Sequence, residues 1–424
     1  MIKTIPFGRV ESVEGLTVIA KGPSLGIGRM CRRERRYGPT VWAEVIGFRS
    51  GGRLVLTPYG DVEGMAAGDL VIYDEEGSWG IPAGWAVLGR LVDALGQPLD
   101  DTPLAPYRPQ PRVMSGIRPL ERSPIEDPLW TGIRVIDGLL TLGQGQRIGI
   151  FAGAGLGKTT LLHQMVSAVS ADVMVVALIG ERGREVAEFY HQLLPSARSR
   201  TVIVAATSDM PAILRVRAMD TAMGIAEQFR GQGSHVALVV DSLTRLVRAR
   251  SEVGMAAGEP PALRGYTPSA FHMLPRVLER AGRMGKGSIT GFYTILLESD
   301  DLDDPVGDAV RGILDGHIVL SRVLADAGHF PAIDVPKSLS RVMPQVVDGS
   351  HQKLARQTRE LLARRDRARD LLELGAYQVG SDPVLDRALA LWPALGAWLQ
   401  QPEPAPYAPD QTVTDLQRIL ESEE

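Results

Sequence analysis

Cysteine is almost absent: the 424-residue chain carries one, Cys31. That excludes an internal disulfide framework and any zinc site built from several thiolates, and it fits a reducing compartment. No charge sign dominates. Lys and Arg number 46 against 50 Asp and Glu, a net charge of −4, which gives no overall pull toward nucleic acid or an anionic membrane. Long hydrophobic runs are missing too: stretches such as Val173–Ile179 fall far short of the roughly 18 residues a membrane span needs. No apolar signal core follows the lysine of MIKTIPFGRV, so the chain is expected to be cytoplasmic. The seven histidines, His163, His191, His235, His272, His317, His329 and His351, have no metal-ligand spacing, which argues against a transition-metal site. What is present is an ordinary globular balance, 44% hydrophobic and 23% charged. Its length exceeds what a single core holds.

Three grammars follow one another. The first seventy or so residues alternate short β-type runs (Phe7–Val13, Leu16–Ala20, Val41–Phe48, Leu54–Thr57) with glycine turns, as in a small barrel or sandwich. A proline-rich connector, Pro98 to Pro128, is expected to be extended and wrapped over a surface. From Arg147 onward, fully apolar runs (Ile148–Ala152, Val173–Gly180, Val202–Ala206, Val236–Val240, Ile289–Leu297, Ile318–Leu320) alternate with helical stretches. That is the pattern of a parallel sheet covered on both faces, an α/β core. One helix is expected to take Asp209 as its cap, with Pro211 in its first turn and Gly231 and Gly233 past its end. After Val347 the β signal stops. His351–Glu373 and Ser381–Gln400 have helical spacing, and the last twenty residues or so, PEPAPYAPD and then a short helical piece, read as a loosely held tail. The expected units are therefore 1–72, 73–130, 131–345 and 346–424: an N-terminal β-barrel, a connector leading into the core, the α/β core, and a C-terminal helical domain.

The strongest chemical signal is Ala152-Gly153-Ala154-Gly155-Leu156-Gly157-Lys158-Thr159, between the apolar run Ile148–Phe151 and the helical stretch Thr160–Val169. A strand, a glycine-rich turn and a helix N-terminus in that order make a phosphate-binding P-loop. Backbone N–H groups from Gly153 to Thr160 would cradle phosphates, Lys158 would reach the β- and γ-phosphates, and the Thr159 hydroxyl would take a place on Mg²⁺. Ala152 stands where the pattern has glycine, which is tolerable if its φ is negative. A dinucleotide GxGxxG fingerprint is not met. Asp241 ends the apolar run Val236–Val240, so it would face the same crevice and could hold Mg²⁺ through water. Glu181 leaves another such run and could orient an attacking water and accept its proton. Arg182 could neutralise the transferring phosphoryl group, or it could simply pair with Glu185 on a solvated loop. Spacing alone leaves both readings open.

These residues resemble one family. The run Gly149–Gly153 into the loop, Leu178–Glu185, Asp241-Ser242-Leu243-Thr244-Arg245, Gly258–Pro261 with Gly265–Ser269, and Leu314–Arg322 are similar to the ATPases of type III protein export. Those enzymes are relatives of the rotary ATP synthase α and β subunits. The likeness runs from about Gly8 to about Leu399, and Leu374–Gln378 with Gly380–Pro383 and Asp386–Ala388 resembles the flagellar branch rather than the virulence injectisome. The resemblance implies a P-loop, RecA-like core and Mg²⁺-dependent ATP hydrolysis by a homohexameric ring. It implies delivery of export substrates and chaperones to a gate at the inner membrane, with a stator protein and a central coiled-coil stalk as partners. It assigns Glu181 as the catalytic carboxylate, Arg182 as a phosphate-contacting arginine, Phe330 as the ring against adenine, and Arg341 as a finger reaching a neighbour's γ-phosphate. Family members usually carry an N-terminal amphipathic extension that docks the stator. Here the β module starts near Phe7, so docking is expected to use other surfaces or a different partner.

Two alternatives share the core. A ring RNA helicase of the transcription-termination type needs interleaved basic and aromatic residues in its first module, which this one lacks, so no nucleic-acid partner is expected. A non-catalytic rotary subunit lacks the carboxylate that Glu181 supplies here. The arginines 29, 32, 33, 35 and 36 read as charges on a solvated turn. The basic stretch from Lys353 to Arg369, with Glu360, Asp366 and Asp370 among its cations, reads as an exposed helix laced by ion pairs.

Overall fold

The computed structural model describes residues 7–22, 25–33, 40–73, 81–82, 84–100, 102–105, 118–298, 304–401 and 408–422. Six short antiparallel strands close a barrel in the order Phe7–Glu14, Thr17–Lys21, Arg53–Pro58, Val41–Arg49, Met30–Arg33, Leu70–Tyr73. Alternate side chains such as Val10, Val18, Ala20, Val45, Leu54 and Leu56 fill its centre. The strand Met30–Arg33 corrects the solvated-turn expectation for part of the arginine cluster. Arg33 is buried, donates to the Gly64 carbonyl at 2.7 Å and pairs with Asp69. Arg35 and Arg36 lie outside the described residues.

The central sheet runs Leu339–Ser340, Gly316–Val319, Arg147–Ala152, Gly287–Leu296, His235–Asp241, Val173–Ile179, Thr201–Ala206, Leu91–Asp93. All of these are parallel except the edge strand Leu339–Ser340, and a ninth strand, Gly282–Met284, pairs antiparallel with Gly287–Leu296. Strand Val173–Ile179 explains why such runs carry no polar break: every residue is buried. Met174, Val176 and Leu178 pack in one core, while Val173, Val175, Ala177 and Ile179 pack in the other. Period-two alternation into two covering layers leaves no face for water.

Helices Ala212–Gly231 and Leu243–Ala256 cover one face. Helix Lys158–Ala168 covers the other, in a core shared with the C-terminal helices Gly349–Arg367 and Pro383–Leu399. The helix expected to be capped by Asp209 begins later. Its cap is Pro211, Gly231 is its last residue, and only Gly233 (φ +92) lies past the end. The short helical piece of the tail is present, but it is not loosely held. Helix Pro409–Glu421 buries Thr412, Leu416 and Leu420, and its leucines join the core beneath helix Arg134–Leu139. An apolar stripe at i and i+4 holds this helix. Of the connector, Pro106, Pro109 and Pro111 lie outside the described residues, and Pro119–Glu121 forms a 3₁₀ turn.

The barrel is tied to the α/β core by charge. Arg217, on helix Ala212–Gly231, donates through Nε to Glu44 at 2.8 Å, and Tyr59 donates its hydroxyl to the same Glu44 oxygen at 2.8 Å. Both ionic side chains are almost fully buried.

Candidate active site

The phosphate loop leaves the C-terminal end of strand Arg147–Ala152, in the middle of the sheet. Ala152 is the last strand residue and its φ is not positive; among the described non-glycine residues only Arg264 has positive φ. Alanine therefore fits where the pattern has glycine. Gly155 (φ +78) and Gly157 (φ +80) take the left-handed turns that aim successive N–H groups inward. A Cβ on Gly157 would also come within 3.2 Å of the Phe330 ring. Gly157 caps helix Lys158–Ala168 with no side-chain hydrogen bond to its first turn, so those N–H groups and the helix dipole remain available to an anion. Ala154, Gly155, Thr159 and Thr160 are exposed at this mouth, whereas Leu156 is buried as the loop's anchor.

Two neighbouring strand ends bring carboxylates to Lys158. Asp241 ends strand His235–Asp241 and pairs with the Lys158 ammonium; it also accepts the buried Thr294 hydroxyl at 2.8 Å. Glu181 follows strand Val173–Ile179, with Oε1 3.7 Å from Lys158 Nζ. Its backbone is pinned by Ser208 N donating to its carbonyl at 3.0 Å. Arg245 closes the group, with a guanidinium nitrogen 3.2 Å from Glu181 Oε2 and a hydrogen bond to the Gly180 carbonyl.

Glu181 and Asp241 are both buried. Burial first, and the Asp241 carboxylate second, push the Glu181 carboxyl up to about 7, with Lys158 and Arg245 pulling the other way. Glu185 is held below its ordinary range, chiefly by a hydrogen bond from Glu181. Glu181 Oε1 is buried and has no hydrogen-bond partner among the described residues, an acceptor position of the kind a water could fill.

Of the remaining candidates, Phe330 reaches the loop, whereas Arg182 and Arg341 are not gathered here. Arg182 caps helix Gly183–Gln192 and points outward, its side chain 80% exposed and 3.1 Å from Glu185. Phe330 lies against Gly157, yet 42% of it is exposed, an aromatic face beside the loop. Arg341 stands at the opposite end of the sheet. Its amide donates to the Asp315 carbonyl, and Asp315 is chelated by Arg147, the first residue of the strand that ends at Ala152. That six-residue strand separates the two ends by roughly 16 Å. Arg245 and Thr294 carry no role in the sequence reading. The signal for Arg245 was its place four residues after a strand-end Asp, on a helix capped by Ser242. Arg322 was missed as well; it donates to the Ala154 carbonyl of the loop at 3.0 Å.

A P-loop, a strand-end Asp and a buried strand-end Glu on one parallel sheet define a nucleotide-hydrolysing core. In agreement, residues 132–340 match the nucleotide-binding domain of the ATP synthase alpha/beta family, and residues 347–418 match the C-terminal domain of the T3SS EscN ATPase. A flagellum-specific ATP synthase from Salmonella typhimurium is 48% identical, over 93% of this chain and 89% of the relative. The assembled ATPase EscN from the enteropathogenic E. coli type III secretion system superposes with a TM-score of 0.92 at 44% identity, covering 97% of this chain and all of that one. EscN in complex with its central stalk EscO superposes at 0.90 with 43% identity over 97% of this chain. The chain belongs to the family of flagellum-specific ATP synthases and type III secretion ATPases.

Proposed function

We propose that this chain is a Mg²⁺-dependent ATPase that energises flagellar protein export, working as a homohexameric ring in the cytoplasm beside the inner-membrane export apparatus. The observation that carries the chemistry is the Lys158–Asp241–Glu181 cluster at the mouth of the phosphate loop. Support for the ring comes from the assembled EscN structure, and for a central stalk from the complex of EscN with EscO. The 48% likeness to the Salmonella flagellar relative favours export of flagellar substrates and their chaperones. A gate and a stator protein complete the proposed partners. Among the described residues no helix is long and apolar enough to cross a membrane. The working units proposed are residues 1–72, 73–130, 131–345 and 346–424.

In this reading the loop N–H groups from Gly153 to Thr160 hold the phosphates, Lys158 moves from its carboxylates toward the β- and γ-phosphates, and Phe330 packs on adenine. A hydroxyl and one carboxylate are hard oxygen donors suited to Mg²⁺, which keeps phosphate and water as its other ligands. Among the described residues no cluster of His, Cys, Asp and Glu could hold a metal by itself. Thr159 and Asp241 would hold the ion, which would neutralise charge on the phosphates. Glu181, buried and near neutral in its titration, orients a water in line with the γ-phosphate and takes its proton. Arg182 turns inward on assembly, and Arg341 of a neighbouring copy stabilises the transferring phosphoryl group. Its exposure, at the end of the sheet remote from its own loop, supports action in trans.

Retention of Mg·ATP by the purified chain and its Lys158→Ala variant tests the site. Affinity should fall by at least tenfold on neutralisation. Equal retention by the two proteins would refute the reading.

A further inference from the structure

Arg341 needs a direction as well as a location, and the residues that fix it belong to the start of the phosphate-loop strand. Gln146, fully buried, sits just before that strand. Its Nε2 donates to Ser340 Oγ at 3.1 Å and to the Asp315 carbonyl at 3.3 Å, while its Oε1 accepts from Gly143 N at 2.9 Å. Ser340 in turn donates its hydroxyl to the Thr141 carbonyl at 2.9 Å. The Asp315 carboxylate is held by Arg147 through the backbone N–H at 2.9 Å and the guanidinium at 3.0 and 2.9 Å. On that platform the Arg341 amide donates to Asp315 O at 3.0 Å and its guanidinium to Leu314 O at 3.4 Å.

The edge strand is only two residues long, Leu339–Ser340, and two backbone pairings to strand Gly316–Val319 would not set its direction firmly. Upstream, Ser338 accepts from Val319 N at 3.0 Å and from Arg359 at 2.7 Å; at Ser340 and Arg341 themselves the Gln146 side chain and the Asp315 carbonyl supplement the ladder. None of their described contacts reaches the phosphate loop.

We propose that Gln146 and Asp315 are positioning residues for the hydrolytic reaction, aiming Arg341 at the phosphates held by a second copy of the chain. This rests on the reading of Arg341 as a trans-acting finger. Gln146 acts through Ser340 and the Asp315 carbonyl, so its loss displaces the finger without touching the site where ATP binds. Misplacing a reacting group by about 1 Å costs up to ~10²-fold, and a finger is worth ~10³–10⁵. Gln146→Leu should therefore lower kcat by about 10- to 100-fold, with KM for Mg·ATP within twofold.

The deciding experiment mixes two inactive chains. Lys158→Ala chains keep their finger, Arg341→Ala chains keep their loop, and mixed rings regain turnover where the two meet. Gln146→Leu is then added to one chain type at a time. In the finger-donating Lys158→Ala chain it should abolish most of the regained turnover; in the loop-donating Arg341→Ala chain it should remove far less. Equal loss in both placements would assign Gln146 to general support of the sheet and overturn the proposal, as would no loss in either. The milder Ser340→Ala, placed the same way, gives the same asymmetry if Gln146→Leu folds poorly, and symmetric effects from it overturn the proposal equally. No regained turnover with native Gln146 would instead remove the trans reading of Arg341 itself, a failure distinct from that of the platform.

Discussion

Replacing Glu181 with glutamine keeps the size of the side chain and removes its ability to take a proton. The surroundings set both the size and the pH dependence of the effect. Burial and the adjacent Asp241 carboxylate raise the Glu181 carboxyl to about 7. In the free enzyme about half of it is therefore ionised at neutral pH, about a tenth at pH 6 and about nine-tenths at pH 8. A base must be deprotonated to act, so kcat/KM for Mg·ATP should climb about tenfold from pH 6 to pH 8 and then level off. An unperturbed glutamate would already be ionised at pH 6 and would give a flat profile over that range. Glu181→Gln should lose ~10²–10⁴ in kcat, the usual worth of a positioned base. The variant also removes a negative charge 3.7 Å from Lys158, which frees the ammonium for phosphate, so ATP affinity should hold or tighten. Steady-state rates across pH with a coupled ADP assay, and nucleotide titration of the variant, make the measurements. Wild-type turnover by Glu181→Gln would refute the assignment of the base. A flat profile with loss in the variant would refute the burial argument alone.

Phe330→Ala should weaken ATP binding by about tenfold, the worth of one aromatic stack, while inorganic tripolyphosphate binds unchanged; equal weakening of both would place the ring's role in shaping the loop. Arg217→Met should strand Glu44 in its buried setting beside Tyr59 and lower the unfolding free energy by about 3 kcal/mol. Adding Glu44→Gln should recover part of that loss, as a denaturation cycle would read, and additive losses would count against the pair.

Much of this architecture is legible in the sequence because the physical demand is local. A strand covered on both faces must be apolar along its covered length, so Val173–Ile179 and Val236–Val240 stand out as runs. The phosphate loop declares itself through glycines that only left-handed turns require. The rest depends on contacts distant in sequence. Arg33 looks like a surface charge until Asp69 and the Gly64 carbonyl, more than thirty residues on, bury it in the barrel. Helix Pro409–Glu421 looks like a tail until the underside of helix Arg134–Leu139 accepts its leucines. Arg245 lies within a recognised motif, yet its grip on Glu181 spans 64 positions of chain and leaves no periodic trace. Asp209 failed as a cap for a smaller reason. Proline two residues later can itself take the cap position, because its fixed φ already suits entry into a helix.

The charge arithmetic of the site explains why one chain makes an incomplete catalyst on this reading. Lys158 and Arg245 carry two positive charges, Asp241 one negative charge, and Glu181, half ionised near neutral pH, part of a second, in one largely buried cluster. The cluster is close to neutral, which is what makes it tolerable in a low-dielectric interior. A triphosphate tail adds several negative charges to a region whose surplus of positive charge is less than one. The loop dipoles offset part of that, but the charge that spreads over the γ-phosphoryl oxygens in the transition state needs cations that arrive with the reaction. On the proposed mechanism, Mg²⁺ would enter with the nucleotide, Arg182 would leave Glu185, and Arg341 would come from another copy, its own lying about a strand's length away. Keeping the cluster near neutral thus permits a stable fold before ATP binds, and under the proposed trans role of Arg341 it would make hydrolysis conditional on a neighbour whose arginine is correctly aimed.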